Sequence, residues 1–145
     1  MGGFFSIIFF IVCVAYSVTS KKTLKKYSLE ELEYEIAKPS TIKYPQLKLY
    51  ITDKYVISHK DGLKVVLIDE IIWAHIASLR MYGLVVINRL MIYNKDFKKN
   101  ELCEILGKRE LLVEVINILK EKNNNMMIGY TKENQQAYKQ MKKQK

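Results

Sequence analysis

Few side chains in this sequence have the types and spacing that chemistry requires. Two histidines, His59 and His75, and two cysteines, Cys13 and Cys103, are scattered along the chain without an HExxH, a CxxC or any other metal-ligand spacing. His75 falls in the apolar run IIWAHIASL, where a buried or edge histidine with satisfied partners is expected rather than a ligand. Asp69 and Glu70 are adjacent carboxylates, but neighbours on a strand point to opposite faces and are poorly placed to share a proton. A turn or a strand entry is the expected role of that pair. There is no GxSxG and no glycine-rich phosphate loop, and Trp73 and the tyrosines suit the core or rim of a small sheet. These residues predict no enzyme: no catalytic group, no metal and no cofactor.

The lysines are the exception, because they cluster. The net charge of +9 divides into +4 from Lys21, Lys22, Lys25 and Lys26, +1 from residues 27–131, and +4 from residues 132–145. The middle of the chain is thus nearly neutral, and its basicity sits on two flanks. A nucleic-acid-binding domain more usually gathers its cations on one folded face, so nucleic acid is not expected as a partner. An anionic lipid surface is. Lys21, Lys22, Lys25, Lys26, Lys139, Lys142 and Lys143 are the candidate membrane-surface residues, each contributing about 1 kcal/mol near such a surface.

The first 20 residues carry no Asp, Glu, Lys, Arg or His. As a helix, residues 2–18 reach about 26 Å, at the short end of what crosses a hydrocarbon core of about 30 Å. A secretory signal opens on positive charge, whereas MGGFF offers only the amino terminus, and a cut near Ser20 would be followed at once by Lys21 and Lys22. Positive charge beside a span tends to remain inside. Residues 1–20 are therefore expected to be a retained single-pass transmembrane anchor in the cell membrane, amino terminus outside and domain cytoplasmic. The alternatives are a basic globular protein secreted after cleavage near Ser20, or an enzyme acting on lipid. Two cysteines cannot form a disulfide framework, which agrees with a reducing compartment.

The elements that follow can be read from periodicity. Ser28-Leu29-Glu30-Glu31 spells a capping box, and in LEELEYEIAK the residues Leu29, Leu32 and Ile36 share a face, with Pro39 closing the helix. Residues 21–44 form a basic juxtamembrane segment and connector. From Leu47 the period changes to two: LKLYIT, YVISH, LKVVLI, IIWAHIASLRMY, LVVINRLMIYN and FKKNELCEI read as about six strands. Asp61-Gly62 is a hairpin signal, and Gly83 and Asn94 mark further turns. In KRELLVEVINILKEKN the stripe Leu112, Val115, Ile116 and Leu119 predicts an amphipathic helix that covers the open face of the sheet or the mouth of a barrel. The class is α+β, an antiparallel meander with a lid over residues 45–123. Residues 124–145 form a polar, basic tail in which Thr131 caps a helix that needs no core.

ITDKYVI, then a turn and VVLIDEIIWAHI, resembles the opening of bacterial pleckstrin-homology-like domains. Residues 49–143, including IYNKDFKKNEL and IGYTKENQQAYKQMKK, look like a family of small bacterial membrane-anchored proteins of unknown function with that domain type. The resemblance implies a curled antiparallel sheet or barrel of about six to seven strands closed by a carboxy-terminal helix. It also implies a site on the cytoplasmic face. The expected function is a non-enzymatic, membrane-tethered module whose sheet edge or pocket binds a protein or peptide, since folds of this type can add a strand at an exposed edge. The loop Thr52-Asp53-Lys54 has one lysine beside an acid, and so lacks the basic cluster that grips inositol phosphates in such domains.

Overall fold

Helix α1 (Leu29–Ala37) begins where Ser28 Oγ accepts a hydrogen bond from the N–H of Glu31 at 3.1 Å. The other half of the capping box is not made. The Glu31 carboxylate instead accepts from the Tyr55 hydroxyl at 2.6 Å, a charge-assisted bond stronger than one to a backbone N–H that water can satisfy. Lys38 is extended, as a residue before proline prefers, and ends the helix. The computed structural model describes residues 25–60 and 62–144, which divide into two units between Leu67 and Ile68. The expected anchor at residues 1–20, with Lys21 and Lys22 after it, lies outside the described residues. Among those described, no helix is long and apolar enough to cross a membrane.

In the first unit, β1 (Ile42–Tyr44), β2 (Leu49–Ile51), β3 (Tyr55–Ser58) and β4 (Lys64–Leu67) form an antiparallel sheet in chain order. Leu32 and Ile36 of α1 are fully buried and pack with Tyr55, Ile57 and Leu63, so the 3.6-residue stripe and the strands close one core. The β2–β3 turn is held by Thr52, whose N–H donates to the Tyr55 carbonyl and whose Oγ1 accepts from the Tyr55 N–H, both at 2.8 Å. Across the next turn Ser58 pairs with Lys64, and Gly62 takes the positive φ of 90° that the hairpin signal anticipates. Asp61 of that signal lies outside the described residues.

The second unit opens on a 3-10 turn, Ile68–Glu70, which places Asp69 and Glu70 in a turn and keeps β4 and β5 in different sheets. Strands β5 (Ile71–Met81), β6 (Leu84–Asn94) and β7 (Lys99–Leu106) form an antiparallel meander. Tyr82 and Gly83 join β5 to β6 with φ of 51° and 78°, the left-handed two-residue turn that matches strand twist. Helix α2 (Arg109–Lys122) buries Leu112, Val115, Ile116 and Leu119 and packs on β5 and β6. Ala74, Leu90 and Ile92, whose cross-strand pairing puts them on one face, are fully buried as well. Strand β8 (Met127–Ile128) then pairs with β5 in parallel, and α3 (Lys132–Lys143) follows.

The α+β class and the amphipathic helix after a meander hold. The single curled sheet or barrel does not: the described strands form two four-stranded sheets, neither of them closed. The interruption at Asp69-Glu70 is the physical reason, since a turn of helix there ends one hydrogen-bonded ladder before the next begins. Strands β1 and β8, three and two residues in length, were too short to show a period.

Candidate functional site

Strand β8 covers very little of its neighbour. It pairs with Trp73 and Ala74 alone, and the Gly129 N–H donates the last bond, to the Ala74 carbonyl at 2.9 Å. Strand β5 runs on to Met81, paired with β6 on its other side. From Ile76 onward its outer edge has no strand neighbour among the described residues. Backbone groups alternate along a strand, and Ala74 faces β8. Ile76 and Ser78 therefore turn their N–H and C=O to the open edge. An unpaired edge of this kind is a template for another extended chain. Leu79 and Met81 beside it are exposed, and at the hairpin tip Tyr82 is 99% exposed and Leu84 72%.

The point where β8 leaves β5 is fixed by a group of rings. The Trp73 indole N–H donates to the Gly129 carbonyl at 2.8 Å, and the Asn134 amide donates to the carbonyls of Ile128 and Gly129. Tyr93 stacks on Trp73 at 4.5 Å, and Tyr130 lies nearly parallel to it at 5.9 Å. Tyr138 of α3 meets Tyr93 edge-on at 5.0 Å and donates its hydroxyl to the Phe97 carbonyl. No residue of α3 is buried, as its polar sequence predicts, yet Asn134 and Tyr138 attach it to the sheet. Trp73 is thus a core residue with its polar atom satisfied.

His75 belongs to the same group. Its Nε2 shares a hydrogen bond with the Tyr93 hydroxyl at 3.2 Å, and its ring packs against Trp73 and Tyr130. Only 6% of the residue is exposed, and Nδ1 is buried with no hydrogen-bond partner of good geometry. Burial pushes its pKa below the ordinary 6.5; the Ile76 backbone opposes that in part, and Lys99 adds to it. The sequence expectation of a fully satisfied histidine is met at one nitrogen only.

A cavity of about 330 Å³ opens beside this edge, lined by His75 and Ile76 of β5 and by residues 128–130. Its other wall is α2, through Arg109, Val113, Ile116 and Asn117. No acid lines it, and no carboxylate pairs with Arg109 among the described residues. Arg109 is the first residue of α2, and Lys108 before it offers no side-chain cap to that turn, though its carbonyl accepts from the Leu111 N–H at 3.1 Å. The cavity therefore joins an apolar floor to a concentration of positive potential. Neither Arg109 nor the β5 edge stood out in the sequence: one is an ordinary cation at a helix start, and an edge is defined by what lies beside it.

Of the lysines expected at a membrane surface, Lys25 and Lys26 precede α1 and are exposed, and Lys26 Nζ stands 5.5 Å from the centre of the Tyr27 ring. Lys139, Lys142 and Lys143 are exposed on α3, where 139 and 143 share a face and the last two oppose the negative end of the helix dipole. The amino- and carboxy-terminal groups belong to different units. In the first unit the Glu35 carboxylate, 2% exposed, is paired with Lys38 at 2.8 Å, and Asp53 accepts from Ser40 Oγ at 3.0 Å. Asp53 is thus occupied within its own unit, and Lys54 next to it is exposed. Cys103 is buried in the sheet. No three histidine, cysteine or acidic side chains come together as metal ligands among the described residues.

No curated protein and no solved structure matches this chain. Residues 15–138 match the family described as a domain of unknown function (DUF6709), a span that takes in the site and most of both units, and the chain belongs to that family.

Proposed function

We propose that the protein is a non-enzymatic, membrane-tethered interaction module that receives an extended peptide segment as an added strand along the open edge of β5. The observation that carries this reading is the edge itself. Strand β8 stops at Ala74, and an outer edge from Ile76 to Met81, flanked by exposed Leu79 and Met81, has no strand neighbour among the described residues. Main-chain hydrogen bonds along such an edge give affinity, and pockets for alternate side chains give selectivity. The apolar first 20 residues and the lysines after them support an anchor with the domain on the cytoplasmic side.

The test uses the full chain in detergent and a fluorescent pool of short peptides rich in valine, isoleucine and threonine. Saturable binding should be lost when alternate peptide nitrogens of the pool are methylated, because a methylated nitrogen cannot donate to the Ile76 or Ser78 carbonyl. Ser78→Pro should weaken binding similarly while β6 stays paired, since a proline is tolerated where its nitrogen faces outward. Equal binding of the methylated and unmethylated pools would remove strand addition from consideration.

A further inference from the structure

The unoccupied edge of β5 and the cavity meet at Ile76, which belongs to both. A strand added along the edge therefore has one end in the cavity, and the chemistry there decides which end. Three features point to an anion. Arg109 reaches the cavity without a carboxylate partner among the described residues; the first turn of α2 has no side-chain cap; and Asn117 contributes a neutral amide. A peptide amino terminus would bring a cation to this place, where Arg109 repels it. From these observations we infer that the cavity holds the free carboxy terminus of the added peptide, so that the ligand runs antiparallel to β5 and ends beside Arg109.

The apolar part of the lining completes the match. Ile76, Val113, Ile116 and Ile128 form a floor for the last side chain of the ligand. A volume of about 330 Å³ holds a carboxylate and one branched aliphatic residue, and is too small for a folded partner. Capture of a terminal carboxylate by backbone N–H groups and a cation at a sheet edge is a recognised mode of peptide binding. Arginine suits it because its fork can meet both carboxylate oxygens. The occupant is thus a protein whose carboxy terminus is exposed, extended and ends in an aliphatic residue.

This inference rests on strand addition at β5, and the experiment separates the two. Two fluorescent hexapeptide pools are compared on the full chain by anisotropy, identical except that one ends in a free carboxylate and the other in an amide. The acid pool should bind at least tenfold more tightly, and Arg109→Gln should bring it down to the affinity of the amide pool. Arg80→Gln, at the far end of the edge, should leave the difference intact. Equal affinity for the two pools, with binding still abolished by peptide N-methylation, would overturn the carboxylate site and leave the edge intact. Absence of binding by both pools would overturn both ideas. Hexanoate binding as tightly as the acid pool would assign the cavity to a free fatty acid and likewise overturn the peptide assignment.

Discussion

At His75 a polar ring is held in a mostly apolar place, and its pKa is lowered by burial first and by Lys99 to a lesser degree. The unfolded imidazole takes a proton as the pH falls through about 6.5, while the folded one resists until a lower pH. The stability tied to the neutral ring is therefore fully present above about 6.5 and is lost as the pH falls through the folded value. Unfolding followed by Trp73 fluorescence should show a falling midpoint between about pH 7 and pH 5, and His75→Gln should flatten that slope. His59, lowered by burial and by Lys48, works in the same direction in the first unit, where no tryptophan reports on it. Asn123 supplies a second prediction. Its buried amide donates to the carbonyls of Ile68 and Ile71 at 2.8 and 2.9 Å, so Asn123→Ala leaves two acceptors unmet. The expected cost is about 2–4 kcal/mol in urea unfolding, against less than about 0.5 kcal/mol for exposed Asn124→Ala.

The β5–β6 hairpin shows what an element of this protein trades away. Tyr82 sits at a φ of 51°, which disfavours a bulky side chain, and it is almost wholly exposed, so it gains nothing from packing in return. Tyr82→Asn should stabilise the hairpin by about 1 kcal/mol in chemical denaturation, because asparagine tolerates the left-handed region. Such relief would mark the tyrosine as kept for contact rather than for the turn. The long elements were evident in the sequence for a related reason: eleven-residue strands and a fourteen-residue helix repeat their period often enough to be read. Thr131 and Ser28 were evident too, since a cap is a local hydrogen bond. Strand β8 was not, because its position comes from Trp73, Ala74 and Asn134, which are distant from it in sequence or outside its own pattern. The open edge of β5 follows from the shortness of β8 and was hidden with it. Likewise Glu35 looks like one acid among several in LEELEYEIAK, and only packing shows it to be buried against Lys38.

For the whole molecule the governing contrast is between an apolar run of about twenty residues and two small groups of lysines. If the run spans the bilayer, its burial outweighs the lysines, each of which contributes about 1 kcal/mol and is screened by salt. Membranes from cells expressing the full chain should then keep it through a wash in about 1 M salt, where the Debye length is about 3 Å, and release it only to detergent. Changing Lys139, Lys142 and Lys143 together to glutamine should leave that fractionation unaltered. The same anchor fixes the side on which the β5 edge is displayed. With residues 21–26 held inside, a carboxy-terminal tag should resist protease added to intact spheroplasts and be digested once they are lysed. Release by salt alone would mean that the lysines do the holding. Digestion of the tag in intact spheroplasts would turn the module outward, so that the carboxy termini it could capture would be those of exported proteins.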